Sequence, residues 1–200
     1  MNRAIDFYFD FSSPYAYFAA MEIDKLGEKH DLSVNWRPIL LGAIFKKTGA
    51  KPLLQTPLKG EYAQHDLERT ARLKRLPFAL PVNFPFAALA ACRAYYWIRR
   101  QDPDLAKSFA KNIFKAGYQM RLDISDPQTI IDLSTALGLD NGRIGPALQS
   151  EIVKEELRSE VSFAEQRGVF GSPFFIVEDE PFWGHDRLPT LDAWLSQKGW

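Results

Sequence analysis

Ala4-Ile5-Asp6-Phe7-Tyr8-Phe9-Asp10-Phe11 runs straight into Ser12-Ser13-Pro14-Tyr15, and the change of chemistry at Ser12 decides the fold. The first eight residues alternate and are rich in aromatics, the pattern of a strand. After Pro14 the apolar residues Tyr17, Phe18, Met21, Ile23 and Leu26 recur at roughly helical spacing and stop before the polar stretch Gly27 to Asp31. Leu32 to Leu40 reads as a second strand, with Pro38 suited to an edge or an ending. Strand, helix, strand in that order predicts a βαβ unit, with parallel strands and a right-handed crossover.

Beyond it the pattern changes. Gly42 to Gly60 carries Gly, Pro and Lys without a firm period and predicts a loop, with one short helix near residues 43–47. Helical segments are expected over 61–76, 86–100, 104–120, 127–137 and, after Gly145-Pro146, 147–167. Asp102-Pro103 and Asp126-Pro127 each set an N-cap residue before a proline fit for the first turn, and Gly138 stands where a helix stops. Strands return at 174–177 and 181–183, around the turn Glu178-Asp179-Glu180, and 188–197 forms a last helix. The order is βαβ, an all-helical block, then ββα. Neither end covers its own apolar face, so the two must meet around an inserted helical domain.

The chain has 200 residues, with Lys plus Arg 25 balanced by Asp plus Glu 25. Zero net charge argues against a nucleic-acid binder, which needs a clustered basic face. The single cysteine, Cys92, excludes an intramolecular disulfide and a C-x-x-C redox centre. His30, His65 and His185 are too scattered for zinc-ligand spacing, so no metal is expected. No apolar run approaches the ~18 residues of a membrane span, and a strand starting at Ala4 leaves no room for a signal peptide. A soluble, cytoplasmic protein is expected.

Three motifs carry chemistry, each with an ordinary reading beside it. Ser13 before Pro14 is a helix N-cap; the same geometry also aims free N–H groups and a hydroxyl at an anion. Gly168-Val169-Phe170-Gly171-Ser172-Pro173 is a turn that stops a helix, or a rigid cis-proline turn that leaves the Ser172 N–H and C=O unpaired and exposed. Trp183-Gly184-His185-Asp186-Arg187 ends with an N-cap and a surface cation; alternatively Asp186 is a carboxylate awaiting an ammonium group, with Gly184 allowing close backbone approach. Asp6 and Asp10 do not read as a paired-carboxylate acid/base site. A serine hydrolase is rejected, because no G-x-S-x-G elbow or placed histidine partner is present.

Together these pieces resemble a known family: the 2-hydroxychromene-2-carboxylate isomerases and kappa-class glutathione transferases, DsbA-like relatives with a thioredoxin fold. The resemblance covers the whole chain. It is carried by Phe7-Tyr8-Phe9-Asp10-Phe11-Ser12-Ser13-Pro14-Tyr15, Trp36-Arg37-Pro38-Ile39-Leu40-Leu41-Gly42, Val169-Phe170-Gly171-Ser172-Pro173 and Phe182-Trp183-Gly184-His185-Asp186-Arg187-Leu188. It implies an α/β thioredoxin-like domain of residues 1–41 and 169–200, with 42–168 as the inserted helical domain. It implies that Ser13 and Ala16 stand where disulfide oxidoreductases carry two cysteines, so disulfide exchange is excluded. What remains is the stabilisation of a thiolate supplied by glutathione. Ser13 would be the catalytic donor, and Ser172 before a cis Pro173 would pair with the cysteinyl backbone. Trp183, Gly184, His185 and Asp186 would receive the γ-glutamyl end.

A helix dipole contributes ~0.3–1 kcal/mol and a hydrogen bond to a charged group ~1.5–3 kcal/mol. Together they would bring a thiol from near 8.5 to ~5.5–7. The expected activity is a glutathione-dependent isomerase; the alternatives are a kappa-like glutathione transferase or a non-catalytic peptide-binding module. For the aromatic substrate, Phe11, Phe84, Phe86, Phe170 and Trp183 are candidate lining, Phe86 being equally at home in the core. Lys46 or Lys47 would hold a carboxylate, and Asn83 and Phe84 would face the substrate. Isomerase relatives can carry a tyrosine where this chain has Phe84. A homodimer is implied by the resemblance alone.

Overall fold

A computed structural model describes residues 3–81 and 83–200; Val82, quoted with Asn83, lies outside them, as do Met1 and Asn2. The strands are β1 (Ala4–Phe9), β2 (Ser33–Pro38), β3 (Phe174–Val177) and β4 (Glu180–Trp183), in the order β2-β1-β3-β4. β1 and β2 are parallel, as the crossover requires, whereas β3 and β4 add antiparallel. Sheet segments from both ends of the chain therefore meet, with β1 and β3 in the middle. Register places Trp36, Phe7, Phe175 and Phe182 in one row across the four strands. Phe7 meets Trp36 edge-on at 5.1 Å and stacks on Phe175 at 5.4 Å. β2 is an edge strand, which is where Pro38 is tolerated.

The first crossover is two helices rather than one: α1 (Pro14–Ala20) and α2 (Ile23–Lys29). Glu22, at the break, leaves helical geometry and its carboxylate meets Lys74 at 2.6 Å. Between β2 and β3 come α3 (Leu41–Thr48), α4 (Lys59–Lys74), α5 (Leu89–Arg99), α6 (Pro103–Tyr118), α7 (Pro127–Ala136), α8 (Asn141–Gln149) and α9 (Glu151–Gln166); α10 (Leu188–Gln197) closes the chain. Asp102 and Asp126 cap α6 and α7 through their carboxylates, each with proline in the first turn.

The single helix expected over 147–167 is a correction. Asp140 starts α8 before Gly145-Pro146, and Ser150 starts α9 by accepting the Val153 N–H. A serine at that place is a better start than a continuation.

Buried tyrosines tie the helical block to the sheet. Tyr95 and Tyr96 of α5 donate their hydroxyls to the carbonyls of Trp36 (2.9 Å) and Pro38 (2.6 Å), and Tyr118 of α6 donates to that of Phe11 (3.1 Å). The Pro38 and Phe11 carbonyls lie at or just beyond the C-terminal ends of β2 and β1, and that of Trp36 lies within the edge strand β2; each is a buried acceptor that a tyrosine hydroxyl serves. Cys92 sits among these helices, fully buried, with its sulfur 3.8 Å from the Ile39 carbonyl oxygen. Asp6 is held by Arg37 and Arg167, so it is occupied as an ion-pair partner. Among the described residues, no helix is long and apolar enough to cross a membrane.

Candidate active site

β1 ends at Phe9, and a tight turn closes when the Ser13 N–H donates to the Asp10 carbonyl at 2.9 Å. Ser13 then caps α1: its backbone is extended, its Oγ accepts the Ala16 N–H at 3.3 Å, and Pro14 takes the first helical position. The hydroxyl proton points elsewhere, to the Ser172 carbonyl at 2.9 Å. Ser13 is 7% exposed, at the floor of the site.

The Ser172-Pro173 bond is cis. Only half of the expectation for Ser172 holds. Its N–H has no acceptor among the described residues, but its carbonyl is not unpaired, because the Ser13 hydroxyl occupies it. A buried hydroxyl needs an acceptor, and this carbonyl is the one that the cis turn presents. Ser172 Oγ accepts the Asp10 N–H at 2.9 Å, locking the two loops together.

The third motif closes on the second. The Gly184 N–H donates to the Pro173 carbonyl at 3.0 Å, with Gly184 at φ +112°, a conformation that side-chain-bearing residues rarely adopt. A Cβ on Gly171 would overlap the Trp183 indole nitrogen, so the glycine is what lets the indole lie there. Trp183 is 56% and Phe170 45% exposed, and their rings meet at 4.8 Å. Asp186 is exposed and pairs with Arg187 at 2.8 Å. The N-cap reading of Asp186 is a correction: it lies in a 3-10 turn, and the residue before α10 is Arg187.

His185 stacks on Tyr15 at 4.9 Å, and the Tyr15 hydroxyl donates to Asp66 at 2.9 Å. Burial and then that carboxylate hold the Tyr15 phenol protonated far above its ordinary range. Tyr15 and Asp66 escaped sequence reasoning because the polar ends of an aromatic and a helix carboxylate carry no signal until the fold joins them.

The structure thus brings Ser13, Ser172, Pro173, Trp183, Gly184 and His185 onto two linked loops and the start of α1. Among the described residues, Lys46, Asn83 and Phe84 make no hydrogen bond, ion pair or ring contact with them. Lys46 lies exposed in the last turn of α3, and Lys47 beside it is engaged with Glu165 at 3.0 Å. Asn83 donates to Asp123 and Ser125, and Phe84 packs edge-on against Phe86 at 6.1 Å. Phe11 is fully buried against Phe9 and Phe114 and belongs to the core.

With a cis proline beside a helix-capping residue in place, comparison of the chain with family models finds the DSBA-like thioredoxin domain over residues 4–196. The chain belongs to the DSBA-like thioredoxin family. It is 29% identical over 197 residues to a 2-hydroxychromene-2-carboxylate isomerase of Sphingobium xenophagum, covering 98% of this chain and 99% of that protein. It is 23% identical over 210 residues to the human Glutathione S-transferase kappa 1, covering 99% and 93%. A solved 2-hydroxychromene-2-carboxylate isomerase structure superposes with a TM-score of 0.85 at 27% identity, covering 98% of this chain and 95% of that one.

In this member of the DSBA-like family, His185 offers a stability test. Burial holds its imidazole below the usual 6.5; Asp186, Asp66 and Glu22 pull it up, and Lys74 pushes it down. As pH falls, the unfolded chain takes up this proton first, so the folded state loses stability from about 6.5 down through the folded pKa. His185→Phe keeps a ring on Tyr15 and removes the proton site. Its melting temperature, relative to the parent, should improve between about pH 7.5 and about pH 5.5. A difference that stays constant with pH would show that the imidazole is not held neutral.

Proposed function

We propose that the protein is a glutathione-dependent isomerase of the 2-hydroxychromene-2-carboxylate isomerase type. The observation that carries this reading is the Ser13 hydroxyl lying on the Ser172 carbonyl, beside an unpaired Ser172 N–H, at a cis Pro173. An extended cysteinyl residue fits these groups antiparallel. Its carbonyl accepts the Ser172 N–H, and its own N–H takes the Ser172 carbonyl. The Ser13 hydroxyl, displaced from that carbonyl, then turns to donate to the cysteinyl sulfur. The γ-glutamyl end falls to Trp183, Gly184, His185 and Asp186, whose exposed carboxylate meets the ammonium group.

The thiol releases its proton to solvent, and the thiolate adds to a conjugated carbon of the substrate, forming a C–S bond. The hemiketal opens as its ring C–O bond breaks and its hydroxyl proton passes to the phenolate oxygen, leaving a keto group conjugated to the double bond. Addition at the far carbon sends the electron pair to that keto oxygen as an enolate, and the bond, now single, rotates. Elimination breaks the C–S bond and returns glutathione with the trans benzylidenepyruvate. This is nucleophilic catalysis with a borrowed nucleophile. Ser13 acts as a donor, since no histidine contacts it to activate its oxygen. Lys46, which makes no ion pair among the described residues where Lys47 is paired with Glu165, is the cation for the substrate carboxylate, and Asn83 and Phe84 flank the ring.

The curated kappa-class relatives support a second reading, in which the thiolate attacks an electrophile and stays attached. Titration calorimetry with reduced glutathione should give a micromolar-to-millimolar Kd. Turnover of 2-hydroxychromene-2-carboxylate with glutathione unconsumed supports the isomerase; one glutathione consumed per product supports the transferase. Absence of glutathione binding would sink both and leave a peptide-binding module.

A further inference from the structure

Asp10 is the only charged side chain among the described residues that is sealed from solvent, at 3% exposure, and none of their cations pairs with it. Its Oδ1 accepts the Ser12 N–H at 2.8 Å, and its Oδ2 accepts the N–H of Leu41, the first residue of α3, at 2.7 Å. Its backbone holds the Ser172 hydroxyl through its N–H and the Ser13 N–H through its carbonyl. One residue therefore registers the Ser13 turn, the cis-proline loop and the start of α3, whose own N-cap, Leu40, has no capping side chain.

Asp10 also acts electrostatically on Cys92 from α5 and Tyr118 from α6, both groups pushed upward by burial first and by Asp10 next. Burial also pushes the Asp10 carboxyl up, against the pull of its two backbone donors. A buried, uncompensated carboxylate is costly, and a neutral Ser, Thr or Asn caps a helix as well. A carboxyl here, rather than a neutral capping group, therefore needs a reason.

We propose that Asp10 is a positioning residue that joins the Ser13 and Ser172 loops and, through its negative charge behind them, keeps a thiol seated at Ser13 from becoming too acidic. The proposal rests on the glutathione reading above. A reversible addition needs a thiolate that forms at neutral pH and still attacks. Nucleophilicity falls as thiol pKa falls, and the optimum lies near ambient pH. Ser13 pulls the sulfur down, and Asp10 opposes it.

Two like charges share one coupling free energy, which raises the midpoint of the group that ionises second, here the thiol. In the wild-type protein, carbon-13 NMR of the Asp10 carboxyl, assigned through its backbone, should show the carboxyl ionising below the thiolate midpoint of bound glutathione, and a second, smaller shift at that midpoint with reduced glutathione that is absent with S-methylglutathione, which has no ionisable sulfur. In Asp10→Asn, the ultraviolet thiolate band of bound glutathione should titrate roughly one pH unit lower than in the wild type. A carboxyl still protonated at the thiolate midpoint, no second shift there with reduced glutathione, or a variant thiolate midpoint unchanged or raised, would overturn the inference, and the NMR arm decides even if the variant fails to fold. No thiolate band in the wild type would instead overturn the glutathione reading, and this inference with it.

Discussion

Ser13→Ala should raise the thiolate midpoint of bound glutathione by about one to two pH units, because a hydrogen bond to a charged group is worth about 1.5–3 kcal/mol. Turnover at neutral pH should fall with the thiolate fraction, by up to roughly 50-fold where the wild-type midpoint lies near 7. Binding should fall less. The substitution clears the Ser172 carbonyl that the wild-type hydroxyl occupies, so the incoming cysteinyl N–H no longer has a competitor. The loss of the α1 cap costs about 1 kcal/mol of fold stability, too little to unfold an ordinary domain of 5–15 kcal/mol. The diagnostic is the split: turnover and thiolate midpoint move strongly while Kd moves little. If the ultraviolet band titrates at the same pH in both proteins, Ser13 does not touch the sulfur.

Phe114→Ala should cost about 3–5 kcal/mol, the range for deleting a fully buried aromatic ring. The ring of Phe114, on α6, meets Phe11 at 5.1 Å, Phe9 at 5.5 Å, Tyr118 at 6.3 Å and Tyr17 at 6.4 Å. Those partners lie on or beside β1, α1 and α6 itself, elements fixed by backbone ladders and buried hydroxyls, so the cavity cannot collapse. Phe163→Ala is the comparison: that ring is 42% exposed, over Arg37 and Arg167, and should cost under about 1 kcal/mol. Urea unfolding followed by circular dichroism measures both. A loss below about 1.5 kcal/mol for Phe114→Ala would mean that helices and sheet do not share one packed interior.

The fold was legible where local chemistry decides it. Phe174 to Val177 and Leu188 to Gln197 form the elements their patterns predict, and the Asp-Pro pairs begin helices because a carboxylate cap and a missing N–H act within four residues. Gly145-Pro146 misled because a helix whose start is satisfied by Asp140 can carry a proline that local rules treat as a stop. Ser13, Ser172 and Gly184 are visible as turn chemistry, but the bond between Ser13 and Ser172 spans 159 residues. No local pattern encodes that the hydroxyl proton goes there. Asp10 was hidden for the same reason. As a strand-end aspartate it reads as polar punctuation, and only the arrival of Leu41 and Ser172 shows what it holds.

The buried Cys92 has a bearing on durability. An enzyme that raises a reactive sulfur anion in front of carbon electrophiles risks being alkylated itself. The chain's single thiol lies fully enclosed, and burial holds it in the unreactive protonated form. Under the glutathione reading, every encounter between electrophile and thiol is then confined to the tripeptide, which leaves and is replaced, while the polypeptide keeps no thiol on its surface.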